Sequence, residues 1–454
     1  MISSIRQLIA LGGALAIGFV SQMAISFTDA ALVSRLGANV LAGMTLALGL
    51  FSLVMLMGLG IVTAVSPKVA ESFRNNDNKE LQRWFNQGVW LSLTIGGCSA
   101  IVLFNTGTIL RFFGQNEQIA AIAQEYNCGS AIGVIFFYLY INIRGLMSAV
   151  GDPKPLIWVM LAAIPTNFLL ASFLIFGSGS FNGFGVLGAG ISSTVTRLLI
   201  VIWATALLMR GKQFRFLNLV PALSKPEWVR IAHLLCIGIP IGFRILVGEG
   251  FPSVIAFMTA AYGPEAVASH AVGIRLDTLI SVFALGISSA ATTMAAWYRT
   301  DSDQRELRRL RTSIAFVGTT YVVLLSTMMY FSYEFMLSTI FGITDVSVLH
   351  LSWKLLPLIL LSFMFGTWGA MYHGFLVGLL DTVLPTVVVT ISYWGIGLVG
   401  GYIFANTFNL GFIGYWGGMV LASFTVALFN YLRVSYLIAR IPVNIWAVKD
   451  TQPR

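Results

Sequence analysis

Long apolar stretches alternate with short polar breaks along nearly the whole chain, and the stretches are of membrane-crossing length, roughly 20 residues or more. Twelve are predicted, near residues 8–34, 40–71, 86–110, 127–150, 155–177, 184–209, 231–261, 265–297, 312–340, 350–378, 383–405 and 411–438. Several exceed the hydrocarbon thickness, which predicts tilted helices or ends that project beyond the bilayer. The pattern also repeats. Shifted by 226 positions, Gly12 falls on Gly238, Gly37 on Gly263, Ala42 on Ala268, Gly60 on Gly286, Ala64 on Ala290, Asp77 on Asp303, Gly185 on Gly411 and Gly188 on Gly414. With a slip of two or three residues, Phe113-Gly114 matches Phe341-Gly342, and Gly145 with Asp152 matches Gly374 with Asp381. Duplicated hydrophobic halves with a binding site at their seam are a usual build for secondary transporters. The expected fold is therefore an all-α polytopic membrane protein with two pseudo-symmetric six-helix lobes: 1–210, then a linker at 211–230, then 231–440 and a tail at 441–454.

Composition agrees on the solvent. Hydrophobic residues make up 57% and charged residues 10%, with a mean hydropathy of +0.84, which excludes a water-soluble domain of this size. The net charge of +9 changes the picture only through its placement. Arg74, Lys79 and Arg83 follow the second span; Lys154 follows the fourth. Arg210, Lys212, Arg215, Lys225 and Arg230 follow the sixth, and Arg299, Arg305, Arg308, Arg309 and Arg311 the eighth. The intervening loops are nearly bare, so the even loops and both termini, with Arg6 in front and Arg440 and Lys449 behind, are expected in the cytoplasm. Nucleic acid is not needed to explain the charge. The first stretch is too long for a signal peptide and pairs with the seventh, so it is expected to stay in the mature protein.

Enzymatic chemistry finds no foothold. Cys98, Cys128 and Cys236 have no metal or redox spacing, and no Walker loop, nucleophile elbow or zinc-binding His pair occurs. An enzyme is not expected, nor a cofactor. His270 and His373 have no recognisable catalytic partners. Pairs such as Gly129 with Gly133 and Gly397 with Gly401 are expected where helices approach closely.

The candidate chemistry lies in ionisable residues stranded in lipid, each of which should have a partner or a task. Asp29, beside Thr28 near the end of the first span, either bridges helices or carries a proton across. Asn167, two residues after Pro165, either glues helices or helps hold a cation. Glu249 lies between Gly248 and Gly250 and before Pro252, whose missing N–H frees the Gly248 carbonyl, a combination that suits a cation. Arg244 is five residues away and projects about 140° from it on one helix, so a partner on another helix is expected, with Arg197, Arg275 and Asp277 as candidates.

The run Thr28-Asp29-Ala30-Ala31-Leu32-Val33-Ser34-Arg35-Leu36-Gly37 with Val40-Leu41-Ala42-Gly43 resembles the first-span signature of the multidrug and toxic compound extrusion (MATE) family. So do Gly151-Asp152-Pro153-Lys154-Pro155 with Asn167, Gly188-Ala189-Gly190, and Gly238-Ile239-Pro240 leading to Glu249 and Ala268-Ser269-His270. The resemblance covers essentially the whole chain. It implies two six-helix lobes in a V and export of organic cations in exchange for protons or sodium. By position it implies a cation-coupling set of Asp29, Asn167, Thr194 and Glu249, and a substrate-binding set of Asp29, Glu249, Arg275 and Asp277. Ala171 stands where many relatives carry an acid, and Gly366 where sodium-coupled members carry an Asp; both losses point toward protons. A monomer in a bacterial inner membrane is the expected setting. The alternative is a flippase for lipid-linked precursors, for which Arg144, Arg197, Arg244 and Arg275 would meet a pyrophosphate.

Overall fold

The computed structural model describes residues 2–211, 214, 225–343 and 345–441. Most of the linker expected at 211–230 and nearly all of the tail at 441–454 lie outside the described residues. The described chain is helical throughout: α1 (Ile2–Val33), α2 (Ala38–Thr63), α3 (Val65–Arg74), α4 (Asn78–Phe104), α5 (Thr106–Phe112), α6 (Glu117–Ser130), α7 (Gly133–Ala149), α8 (Pro155–Phe176), α9 (Gly185–Arg210), α10 (Trp228–Ala260), α11 (Pro264–Thr300), α12 (Gln304–Phe335), α13 (Val346–Gly378), α14 (Val383–Thr390), α15 (Leu398–Tyr402) and α16 (Phe412–Arg440). Eleven helical segments among these residues are long and apolar enough to cross a membrane, and a twelfth is made by α6 and α7 together.

The expected fourth span, 127–150, is where the helix differs from the sequence pattern. It begins earlier, at Glu117, and bends by 46° between Ser130 and Gly133. No proline causes the bend. The Thr194 hydroxyl of α9 donates to the Gly129 carbonyl at 2.7 Å, a side chain engaging the backbone beside the break. Gly129 and Gly133 allow the approach: a methyl group added at Gly129 would sit 2.8 Å from the Leu187 carbonyl oxygen, and one at Gly133 would sit 2.7 Å from the Thr194 hydroxyl.

Backbone geometry carries the duplication more clearly than side chains do. Gly37 and Gly263 both have positive φ, as do Asn76 and Ser302, Gly114 and Gly342, Gly151 and Leu380, Gly183 and Asn409, and Gly185 and Gly411. Left-handed residues are uncommon and mark specific turns, so their recurrence in register shows that both halves fold by the same plan. The caps agree: Asp77 accepts from the Glu80 N–H and Asp303 from the Glu306 N–H, each at 3.0 Å. Each such cap is worth about 1 kcal/mol.

Two compact units result, Ile17–Gly242 and Met1–Ala16 with Phe243–Arg454. They do not end where the repeat does, because the first helix of each half leans on the second helix of the other. A methyl group at Gly12 would sit 3.0 Å from Ile287 Cα, and one at Gly238 would sit 2.7 Å from Ile61 Cα. The positions are equivalent under the 226-residue shift, so the two glycine contacts are one contact made twice. Within the first unit, Arg230 pins α10 to α4. Its two terminal nitrogens donate to both Glu80 oxygens at 2.7 and 2.9 Å, its Nε donates to Glu227 at 2.6 Å, and its guanidinium covers Trp84 at 4.7 Å.

Candidate functional site

Asp29 is 1% exposed near the end of α1. The Ser193 hydroxyl of α9 donates to its Oδ2, and its Oδ1 has no partner among the described residues. Asn167 of α8, fully buried, lies against the same carboxylate with both amide atoms unpaired. Pro165 does not interrupt α8; a turn deeper, Ala171 is buried where an acid was looked for. Arg197, one turn beyond Ser193 on α9, is 6% exposed and within electrostatic reach of Asp29 without touching it. Its Nε and Nη1 lack partners, and its guanidinium stacks on Phe51 of α2 at 4.7 Å. Tyr126 of α6 closes the cluster beside Ser193 and Asp29.

Buried polar atoms in folded proteins are nearly always hydrogen-bonded. Among the described residues Asp29 Oδ1, both Asn167 amide atoms and two Arg197 nitrogens have no such partner, and Ser193, Arg197 and Asn167 all lie within reach of the one carboxylate. Thr194, expected as the cluster's third member, turns its hydroxyl to Gly129 instead. Adjacent helical residues project about 100° apart, so Ser193 rather than Thr194 bonds the acid. The run Ser192-Ser193-Thr194 held the right signal, one position ambiguous.

In the other unit Glu249 of α10 is exposed and Asp277 of α11 is half-buried, the two within electrostatic reach of each other. The expected ion-pair partner on another helix is thus not found among the described residues: Asp277 is a second acid that opposes Glu249, and the cation within reach of Glu249 is Arg244 of the same helix. Tyr393 is within electrostatic reach of both acids, and Arg244 is within reach of Glu249, Tyr393 and His373, whose two ring nitrogens are buried and unpaired among the described residues. Neither carboxylate makes an ion pair among the described residues. Arg275, two residues before Asp277, is exposed and joins no such pair either. Trp394 donates to the Val247 carbonyl at 3.3 Å, and the Tyr393 hydroxyl lies 3.3 Å from that of Ser423. Both aromatics stand in a π-helical stretch, Ile391–Gly397, that sequence periodicity could not announce. Among the described residues no cluster of metal-binding side chains forms.

A duplicated helical membrane protein with a buried acid in one unit and two neighbouring acids on spanning helices of the other is the class that fold and site define. The MatE family model matches the chain twice, at residues 14–173 and 240–403, again 226 positions apart at their starts. A relative from Bradyrhizobium diazoefficiens described as a probable multidrug resistance protein NorM is 29% identical over 92% of this chain and 91% of its own. One from Brucella suis with the same description is 27% identical over 93% and 91%. Among solved structures, an outward-facing multidrug resistance MATE family transporter superposes with a TM-score of 0.86 at 18% identity, covering 96% of each chain. The eukaryotic MATE transporter AtDTX14 does so at 0.85 and 16%, also over 96% of each. The chain belongs to the MatE family, the multidrug and toxic compound extrusion proteins.

Proposed function

We propose that the protein is a multidrug efflux transporter that exports organic cations in exchange for protons by alternating access, sodium being the other ion to test. The observation that carries this reading is the Asp29 cluster: a carboxylate buried in a spanning helix, bonded by Ser193 and lying against Asn167, with its other oxygen unpaired among the described residues. A ligand shifts a two-state equilibrium only by its differential affinity for the states, so a proton drives export if Asp29 holds it in the state that releases drug. Glu249 and Asp277 lie within electrostatic reach of Tyr393, and an aromatic ring beside acids suits flat cations. The relatives' description as multidrug resistance proteins supports the substrate class. The basic loops support a bacterial inner membrane with both termini inside, and the protein is read as a monomer that does no catalysis.

Purified protein in liposomes, given an imposed proton or sodium gradient and a fluorescent organic cation, tests the reading. Accumulation driven by the proton gradient is expected; accumulation driven by sodium alone would move the coupling to that ion. A flippase reading draws on the buried Arg144 and Arg197, and tighter binding of a lipid-linked pyrophosphate than of any organic cation would favour it.

A further inference from the structure

We propose that Arg197 is a resident counter-cation of the Asp29 site, which keeps sodium out and leaves the proton as the only exchangeable occupant. The inference rests on the coupling reading above and deepens it. A guanidinium keeps its charge in proteins and cannot leave. Arg197 is built into the cluster: it sits on the same helix as the Ser193 donor, four residues on, and the missing side chain of Gly133 makes room for it. A methyl group there would sit 3.1 Å from Arg197 Nη1. The groups that reach Asp29 are Ser193 and Arg197 from α9, Asn167 from α8 and Tyr126 from α6. Arg197 is the one permanent cation among them.

An ionised Asp29 alone would make a net negative site that draws a metal cation. With Arg197 present the ionised site is neutral, so that pull is lost, and a sodium ion that entered would lie as a second cation beside the guanidinium in a buried setting, which is costly. A proton brings the same net charge, but a covalent O–H bond on Asp29 holds it and no second cation stands beside Arg197. The site then carries the single charge of Arg197, and Phe51, stacked at 4.7 Å, supports that charge through its ring face. Protonation thus makes the site positive, so a bound organic cation is repelled when the proton arrives.

Sodium binding to the full-length purified protein tests this without any transport step. Thermal unfolding is followed as sodium chloride replaces choline chloride at constant ionic strength, in wild type, Arg197→Gln, Arg197→Lys, Asp29→Asn and the Arg197→Gln/Asp29→Asn double variant. Bound ligand raises Tm with the logarithm of its concentration. Arg197→Gln is expected to gain a sodium-specific rise that the double variant lacks, and Arg197→Lys to gain none. Wild type is expected to respond to sodium no more than Asp29→Asn does, any response at Glu249 and Asp277 being common to both. A sodium-specific rise in wild type that Asp29→Asn abolishes would overturn the proposal, as would a folded Arg197→Gln protein with no gain. If Arg197→Gln fails to fold, the comparison of wild type with Asp29→Asn decides alone. Absence of proton-driven transport would sink the exchange reading and leave the sodium result standing.

Discussion

Ser193 and Asp29, 164 positions apart, meet through one hydrogen bond from hydroxyl to carboxylate, and the second Asp29 oxygen is left unpaired. Half of the acid is thereby fixed in place while half stays available to a proton. Ser193→Ala removes the hydroxyl donor and weakens the support of a buried carboxylate, at a cost of about 1–3 kcal/mol. Proton-driven export is expected to fall about tenfold or more, each 1.4 kcal/mol being a tenfold change. Thr194→Ala, which frees only the Gly129 carbonyl, should lower Tm with a smaller loss of transport. Equal losses from both would show that Ser193 has no special part.

Leu380 offers a test of the duplication. It holds φ at +64°, where its counterpart Gly151 holds +88°. A left-handed conformation costs a side-chain-bearing residue roughly 1–2 kcal/mol, partly offset by the extra chain entropy that glycine loses on folding. Leu380→Gly is therefore expected to be neutral or to stabilise by up to about 1 kcal/mol in thermal unfolding, and Gly151→Leu to destabilise.

Gly188 and Gly414 should fail alike. A methyl group at Gly188 would sit 2.2 Å from the Leu174 carbonyl oxygen, and one at Gly414 would sit 2.3 Å from the Ala405 nitrogen. Backbone atoms cannot step aside, so each Gly→Ala is expected to cost about 1–3 kcal/mol. At Gly49 and Gly97 nothing lies within 4 Å; alanine there should be harmless or stabilise by up to about 1 kcal/mol. Melting temperatures of the four variants check this directly.

Arg230 and Glu80 form a two-pronged pair, partly exposed at 20% and 32% of their side chains. Solvent screening keeps such pairs modest, so a double-mutant cycle of Arg230→Ala with Glu80→Ala should return a coupling of about 1 kcal/mol. It should shrink at high salt. A coupling untouched by salt would mean that stacking on Trp84, not charge, holds α10 to α4.

The spans were legible because apolar length in lipid leaves the backbone no alternative to a helix, and the repeat was legible because glycine and Asp are demanded by turns and caps that recur. What the chain did not announce was set by partners from elsewhere. The bend after Ser130 depends on a hydroxyl in α9, and the π-helical stretch bearing Tyr393 keeps an ordinary apolar pattern. Asp29, Asn167 and Glu249 could be singled out because isolated polar groups in lipid are rare. That Asp277 stands near Glu249 was among the expectations, but that Ser193 and not Thr194 would face Asp29 depended on helix rotation, which one sequence does not specify.

The most direct test separates the carrier cycle from its proton. In liposomes, Asp29→Asn is expected to keep exchanging labelled for unlabelled organic cation while losing all accumulation driven by a proton gradient. Undiminished proton-driven accumulation by that variant would contradict the role given to Asp29.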